Sequence, residues 1–199
     1  MFRLICLLIG YALGAVQTAY IAGRLNGIDI REHGSKNAGF TNTNRVLGRK
    51  AGFAVFIADI IKAIAAIIIA RLLFPDIDPI LAGLYAGFGA ILGHCFPFYL
   101  KFRGGKGVSC AVGLILMLDW RIILACLVIG VIVLAISKFI SLTSLTITLL
   151  VPVAMIVLGF EWEAVGVAAA FWALIWVLHR ENIQRLLKGT ENKFSLKKK

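Results

Sequence analysis

Acidic residues are scarce in this chain: 10 Asp and Glu stand against 21 Lys and Arg, with only three His, among 199 residues. Few of the familiar catalytic signatures can be built from that set. There is no Ser-His-Asp arrangement that the spacing assigns, no G-x-S-x-G elbow and no H-E-x-x-H helix. None of the three His is followed five residues later by Asp, so a His-x4-Asp pair is absent too. Cysteine is sparse as well. Cys6, Cys95, Cys110 and Cys126 include no CxxC pair and no Cys/His cluster at zinc-ligand spacing. Each lies in or beside an apolar run, where a cysteine behaves as a small hydrophobe. No disulfide, metal or other cofactor is expected. No basic surface interleaved with aromatics appears, so the net charge of +11 does not point to nucleic acid.

What the chain has is apolar length. Hydrophobic residues make up 60% of it, with a mean hydropathy of +0.93. Soluble domains average roughly 45–50% apolar, and a helical membrane crossing needs about 20 apolar residues. Apolar segments fall at 4–23, 51–74, 80–100, 107–118, 122–137, 139–159 and 164–178. The expected fold is an all-α, polytopic integral membrane helical bundle. It has seven transmembrane helices, or five if 107–137 is resolved differently. A single membrane-embedded domain over 1–199 is expected. The first segment is longer than the core of a signal peptide and no A-x-A site follows it, so it reads as a retained span. Small residues at Gly10/Gly14, Gly83/Gly87 and Gly89/Gly93 predict close helix packing.

Charge sets the orientation. Basic residues gather at 24–50, at Lys101–Lys106 and in the tail from His179 to Lys197-Lys198-Lys199. Asp76 and Asp78, and then Glu161 and Glu163, mark the opposite side. Basic loops face the cytoplasm. The N-terminus is therefore expected outside and the C-terminus in the cytoplasm.

Three polar clusters then fall on the cytoplasmic side. The first, Gly34–Arg45, holds Ser35, Asn37, Thr41, Asn42, Thr43 and Asn44 with two glycines and the cations Lys36 and Arg45. Short polar side chains give directional hydrogen bonds, and Arg grips a phosphate with two. The second is the turn Gly104-Gly105-Lys106-Gly107, without Walker A spacing. Glycines let backbone amides approach an anion, and Gly107 can open a helix whose first amides favour one. The third is His179-Arg180-Glu181-Asn182-Ile183-Gln184-Arg185, where His179 and Asn182 are three apart and share a helical face. Asp59 and Lys62, also three apart, lie inside the second apolar segment and read as an internal ion pair that orients the site.

Ser35-Lys36-Asn37-Ala38-Gly39-Phe40-Thr41-Asn42, Gly93-His94-Cys95-Phe96-Pro97 with Gly104-Gly105-Lys106-Gly107, and Glu181-Asn182-Ile183 with Arg185-Leu186 together resemble the three motifs of the bacterial acyl-phosphate:glycerol-3-phosphate acyltransferases, the PlsY family. The likeness covers the whole chain in size, span order and motif order. It implies a compact helical bundle in the bacterial cytoplasmic (inner) membrane, with its active site on the cytoplasmic face. It also implies acyl transfer from a fatty acyl phosphate to the 1-hydroxyl of glycerol 3-phosphate, giving lysophosphatidic acid and inorganic phosphate. Its other expected partner is the lipid bilayer. Neither nucleic acid nor an obligate protein partner is expected.

On that resemblance Ser35, Arg45, Lys106, His179 and Asn182 are the catalytic candidates. Asn37, Thr41, Asn42, Asn44, Gly104, Gly105, Gly107, Glu181 and Arg185 are the binding candidates. Lys106, the Gly104–Gly107 amides, Ser35, Asn37 and Arg45 would hold phosphates and neutralise developing charge. Asn182 and His179 would hold the glycerol hydroxyls. The hydroxyl proton goes either to His179 or to a substrate phosphate, and the missing triad favours the phosphate. A transporter of organic phosphates would also need a basic membrane site. Such sites lie near the midplane between inverted repeats, whereas these clusters lie to one side.

Overall fold

The computed structural model describes residues 1–194, and among these every regular element is a helix. The terminal Lys197-Lys198-Lys199 lies outside the described residues. The chain forms two compact units, Met1–Leu118 and Asp119–Lys199.

The first unit contains α1 (Phe2–Gly14), α2 (Thr18–Leu25), α3 (Phe40–Leu47), α4 (Arg49–Leu73), α5 (Pro79–Cys95) and α6 (Val108–Leu116). The apolar segment 4–23 is not one continuous helix. It breaks at Ala15–Gln17 and resumes as α2. A break in apolar surroundings exposes carbonyls that must find partners. Side chains from elsewhere supply them. The Tyr99 hydroxyl donates to the Ala15 carbonyl at 2.7 Å. The Lys62 ammonium donates to the Val16 carbonyl at 2.7 Å. Gln17, fully buried, donates its amide to the His94 carbonyl at 2.9 Å.

Helix α5 packs mainly on α1. It starts at Pro79 behind the Asp78 cap, whose carboxylate accepts the Ile80 N–H at 2.8 Å. It stops short of Pro97, which disfavours helix in the preceding residue. The small-residue stripes meet face to face. A Cβ on Gly14 would sit 2.6 Å from the Ala90 Cα, and one on Gly93 would sit 2.7 Å from the Ala15 nitrogen. Backbone therefore touches backbone along α1 and α5. The Gly83/Gly87 pair is different: it faces the Arg71 guanidinium and the Leu114 side chain.

The segment expected at 107–118 becomes the nine-residue α6. At about 1.5 Å per residue it covers roughly half of a 30 Å hydrocarbon core. It packs on α4, where a Cβ on Gly113 would lie 2.7 Å from the Ile60 carbonyl oxygen.

The second unit contains α7 (Trp120–Ser137), α8 (Ile140–Val157), α9 (Trp162–Leu178) and α10 (Arg180–Leu187). Lys138, at φ +63°, turns the chain between α7 and α8. Only 17% of the apolar window of α7 is buried, the pattern of a helix whose surroundings are themselves apolar. Ser144 and Thr148 of α8 return their hydroxyls to carbonyls four residues back, at 2.8 Å each, so they cost little in an apolar setting. The axis bends by 60° between α9 and α10, with His179 at the bend.

Five spans are long and apolar enough to cross a membrane: Phe2–Leu25, Arg49–Leu73, Pro79–Leu100, Trp120–Ser137 and Ile140–Val157. The bent pair α9–α10 makes up to six. The protein is thus an all-helical, multi-span membrane protein. The four cysteines are buried and unpaired.

The α1–α5 contact gives a direct test. Gly14→Ala forces a methyl into the Ala90 backbone and should cost roughly 1–3 kcal/mol. Gly166→Ala, where nothing lies within 4 Å, should be neutral or slightly stabilising. Thermal unfolding of the two variants in detergent checks this.

Candidate active site

In the first unit the polar loop and the glycine turn come together. The loop is fastened from below by Asn42, which is fully buried. Its Oδ1 accepts the Ser35 N–H at 2.8 Å, and its Nδ2 donates to the Ile30 and His33 carbonyls at 3.0 Å each. The side chain expected to meet substrate is thus engaged with backbone, and it holds Ser35 in place. Thr43, also buried, donates to the Gly39 carbonyl at 3.0 Å. Arg31 ties the same loop to the segment before the turn. It pairs with Asp29 at 2.6 Å and donates to the Leu100 carbonyl at 3.2 Å. The hydrogen bond from Arg31 holds the Asp29 carboxyl below its ordinary range. Ser35 and Arg45 remain exposed, and Asn37, Thr41 and Asn44 are half-buried.

The glycine turn folds back on the end of α5. Gly104 N–H donates to the Cys95 carbonyl at 3.1 Å, and Gly105 N–H donates to the His94 carbonyl at 3.0 Å. These two amides were expected to face a phosphate. Instead they satisfy carbonyls that the end of α5 leaves without helical partners. Gly107, at φ +82°, starts α6, and the first helical bond of that turn runs from Ala111 N–H to the Gly107 carbonyl at 2.8 Å. The helix-opening amides at 108–110 thus lie next to the half-buried Lys106. Gly105 is wedged between the two clusters. A Cβ there would overlap Nε2 of His94 and lie 2.8 Å from the Ala38 carbonyl oxygen.

In the second unit His179 is buried at the α9–α10 bend. Its Nδ1 lies 2.8 Å from the Ile175 carbonyl. A carbonyl only accepts, so Nδ1 carries a proton. Asn182 donates to Glu191 Oε1 at 2.7 Å, Ser141 donates to the same oxygen at 2.9 Å, and Arg185 donates to Oε2 at 2.7 Å. Glu181 is exposed and lies 3.9 Å from Arg185.

A family model for glycerol-3-phosphate acyltransferase matches residues 4–189. A glycerol-3-phosphate acyltransferase of Clostridioides difficile (strain 630) is 41% identical, over 98% of this chain and 97% of its own length. One from Allorhizobium ampelinum is 38% identical over 96% of this chain and 91% of its own. The crystal structure of PlsY (YgiH), an integral membrane glycerol 3-phosphate acyltransferase, in its glycerol 3-phosphate form, superposes with a TM-score of 0.89. It is 32% identical, over 97% of this chain and 96% of that one. Its lysophosphatidic acid form superposes with a TM-score of 0.86.

The chain belongs to the glycerol-3-phosphate acyltransferase family. It is an acyltransferase enzyme, and the matched residues run through both units.

Within this family member Glu191 is the residue that sequence reasoning missed. It is the lone acid after Glu181 in a basic tail, which is the signal that was available. Burial pushes its carboxyl up. The bonds from Asn182, Arg185 and Ser141 outweigh this and leave it below the ordinary 4.5. A depressed carboxylate stabilises the fold above its unfolded value, and the contribution disappears as pH falls through the folded value. Acidification from neutrality should leave the 182–191 segment intact to about pH 4.5 and then loosen it. Glu191→Gln should loosen it at neutral pH by about 1 kcal/mol. Amide exchange at Thr190, whose N–H donates to the Arg185 carbonyl, reads both effects.

Proposed function

We propose that this enzyme transfers a fatty acyl chain from an acyl phosphate to the 1-hydroxyl of glycerol 3-phosphate, forming lysophosphatidic acid and inorganic phosphate. The observation that carries the reading is the contact between the Gly34–Arg45 loop and the Gly104–Gly107 turn, in a membrane chain of this family. A phosphate-bearing acceptor meets cations and helix-opening amides there, and an acyl chain is at home among the apolar spans. A solved relative is described as a glycerol 3-phosphate form and another as a lysophosphatidic acid form, which supports the acceptor and the product. The acyl phosphate donor rests on the motif resemblance.

Lys106, the amides opening α6, Ser35 and Arg45 hold phosphate and neutralise charge as the acyl–oxygen bond to the leaving phosphate breaks. Asn42 acts by holding Ser35. The resemblance assigns His179 and Asn182, in the second unit, to the glycerol hydroxyls. His179 holds the neighbouring glycerol hydroxyl, accepting from it through Nε2, and so orients the acceptor. The proton passes to a substrate phosphate, and the mixed anhydride already carries a good leaving group. Placement then supplies much of the rate.

Seven crossings with the N-terminus outside fit the charge pattern. If α6 did not carry the chain across, the basic segments 24–50 and 180–199 would lie on opposite sides. The active site accordingly faces the cytoplasm from the inner membrane.

The experiment is phosphate release from palmitoyl phosphate by the purified chain, with and without glycerol 3-phosphate, and with acyl-CoA in parallel. Release that depends on glycerol 3-phosphate, with lysophosphatidic acid formed from acyl phosphate alone, is the expected result. Release without the acceptor, or product from acyl-CoA, would overturn the donor assignment. His179→Gln then separates orientation from base catalysis, because the amide oxygen accepts a hydrogen bond but holds no proton. Orientation predicts a kcat within about tenfold of the parent, whereas loss of a general base costs roughly 10²–10⁴.

A further inference from the structure

Beneath the glycine turn lies a buried chain of charged and polar groups that the proposed reaction does not use. Asp59 and Lys62 of α4 pair at 2.8 Å with 0% and 8% of their side chains exposed. The Thr18 hydroxyl donates to the same Asp59 oxygen at 2.8 Å. The Lys62 ammonium also donates to the Val16 carbonyl at 2.7 Å and lies 3.1 Å from Nδ1 of His94. Its neighbours are thus a carboxylate, a carbonyl and an imidazole nitrogen. The same Nδ1 lies 3.5 Å from the Asp59 carboxylate, and Nε2 stands at the far edge of the ring. That nitrogen abuts Gly105. The backbone of the same residue accepts Gly105 N–H at 3.0 Å and the Gln17 amide at 2.9 Å.

Asp59, His94 and Cys110 also bring three potential metal-ligand atoms within 4.8 Å of one another. Lys62 already supplies positive charge to two of them, at 2.8 and 3.1 Å. The cluster therefore reads as an ion network, in which Asp59 Oδ2 is left without a hydrogen-bond partner among the described residues.

We infer that the Asp59–Lys62–His94 network positions the Gly104–Gly107 turn, with His94 as the positioning residue that transmits its rigidity to Gly105. A buried ion pair contributes little net stability, because desolvation cancels the attraction. One that fixes an imidazole against a ligand-facing turn has a different use. It sets the ring's position and its plane, much as outer partners orient the ligands of a metal site. This inference rests on the reading of that turn as the phosphate seat.

The test uses two variants of the full chain, Asp59→Leu/Lys62→Met and His94→Asn. The double variant removes both charges together and leaves no unpaired ion, although the Val16 carbonyl loses its donor, so it should fold with a lowered thermal midpoint. His94→Asn keeps an oxygen near the Nδ1 position for Lys62 but removes the ring edge against Gly105. Both should raise the KM for glycerol 3-phosphate about tenfold while kcat falls less. Both should also speed amide exchange at Gly104 and Gly105. A folded double variant with KM within about twofold of the parent overturns the inference. So does an unchanged KM in His94→Asn, which decides the matter if the double variant does not fold. If the parent shows no release dependent on glycerol 3-phosphate, the reaction assignment fails instead. The exchange rates then judge the positioning role alone, and unchanged protection of the two amides refutes it.

Discussion

The Lys62 ammonium is the group around which the first unit is organised. A cation inside an apolar segment is costly unless each of its donors is met. Here the partners come from three places: the Asp59 carboxylate one turn away, the His94 ring at the end of α5, and the Val16 carbonyl in the broken first span. Each partner in turn constrains something else. The Val16 contact lets the first span break without an orphaned carbonyl. The His94 contact holds the end of α5, where the glycine turn begins. Removing Lys62 alone would leave a buried carboxylate and an unsatisfied carbonyl together.

The same accounting explains how the glycine turn is built. Helix α5 ends before Pro97 and leaves carbonyls unpaired at its last turn. Gly104 and Gly105 answer them with their own amides. Gly105 can do this because it has no Cβ to strike the His94 ring. Glycine here serves a close approach between chain segments. The polar loop is built on the same plan. Asn42 is buried beneath it as a three-way clamp, and its exposed face is left to Ser35 and Arg45.

Much of this was legible in the residues. The seven apolar segments all became helices or parts of helices, because burial among apolar groups demands internal backbone bonding. The Gly10/Gly14 and Gly89/Gly93 stripes met as the spacing predicted, and Asp59 paired with Lys62 across one turn. What stayed hidden depends on partners distant in sequence. The break at Ala15–Gln17 is stabilised by Lys62 and Tyr99, 46 and 84 residues away, so no local breaker announces it. Asn42 is a polar residue among polar neighbours, and only the fold turns it inward. Glu191 is a single acid among lysines, and its three donors come from two helices, α8 and α10. Periodicity reports which face is apolar, but it does not report which polar group a distant backbone atom will claim.

That division bears on how such a site can work without a nucleophile. In the first unit the side chains that fix the frame are themselves fixed: Asn42 by three bonds and His94 by Lys62. Ser35 and Lys106, which the proposed reaction assigns to phosphate, adjoin those supports, Ser35 through its N–H on Asn42 and Lys106 beside Gly105. A reaction between two phosphate-bearing molecules, one with an activated acyl group, asks mainly for alignment and charge neutralisation. In an apolar medium both are supplied more effectively by donors already held in place than by groups that must reorganise as the bond forms. A scaffold that commits its buried polar atoms to internal bonds, and leaves cations and helix-opening amides at the surface of the bundle, meets that requirement without a catalytic triad.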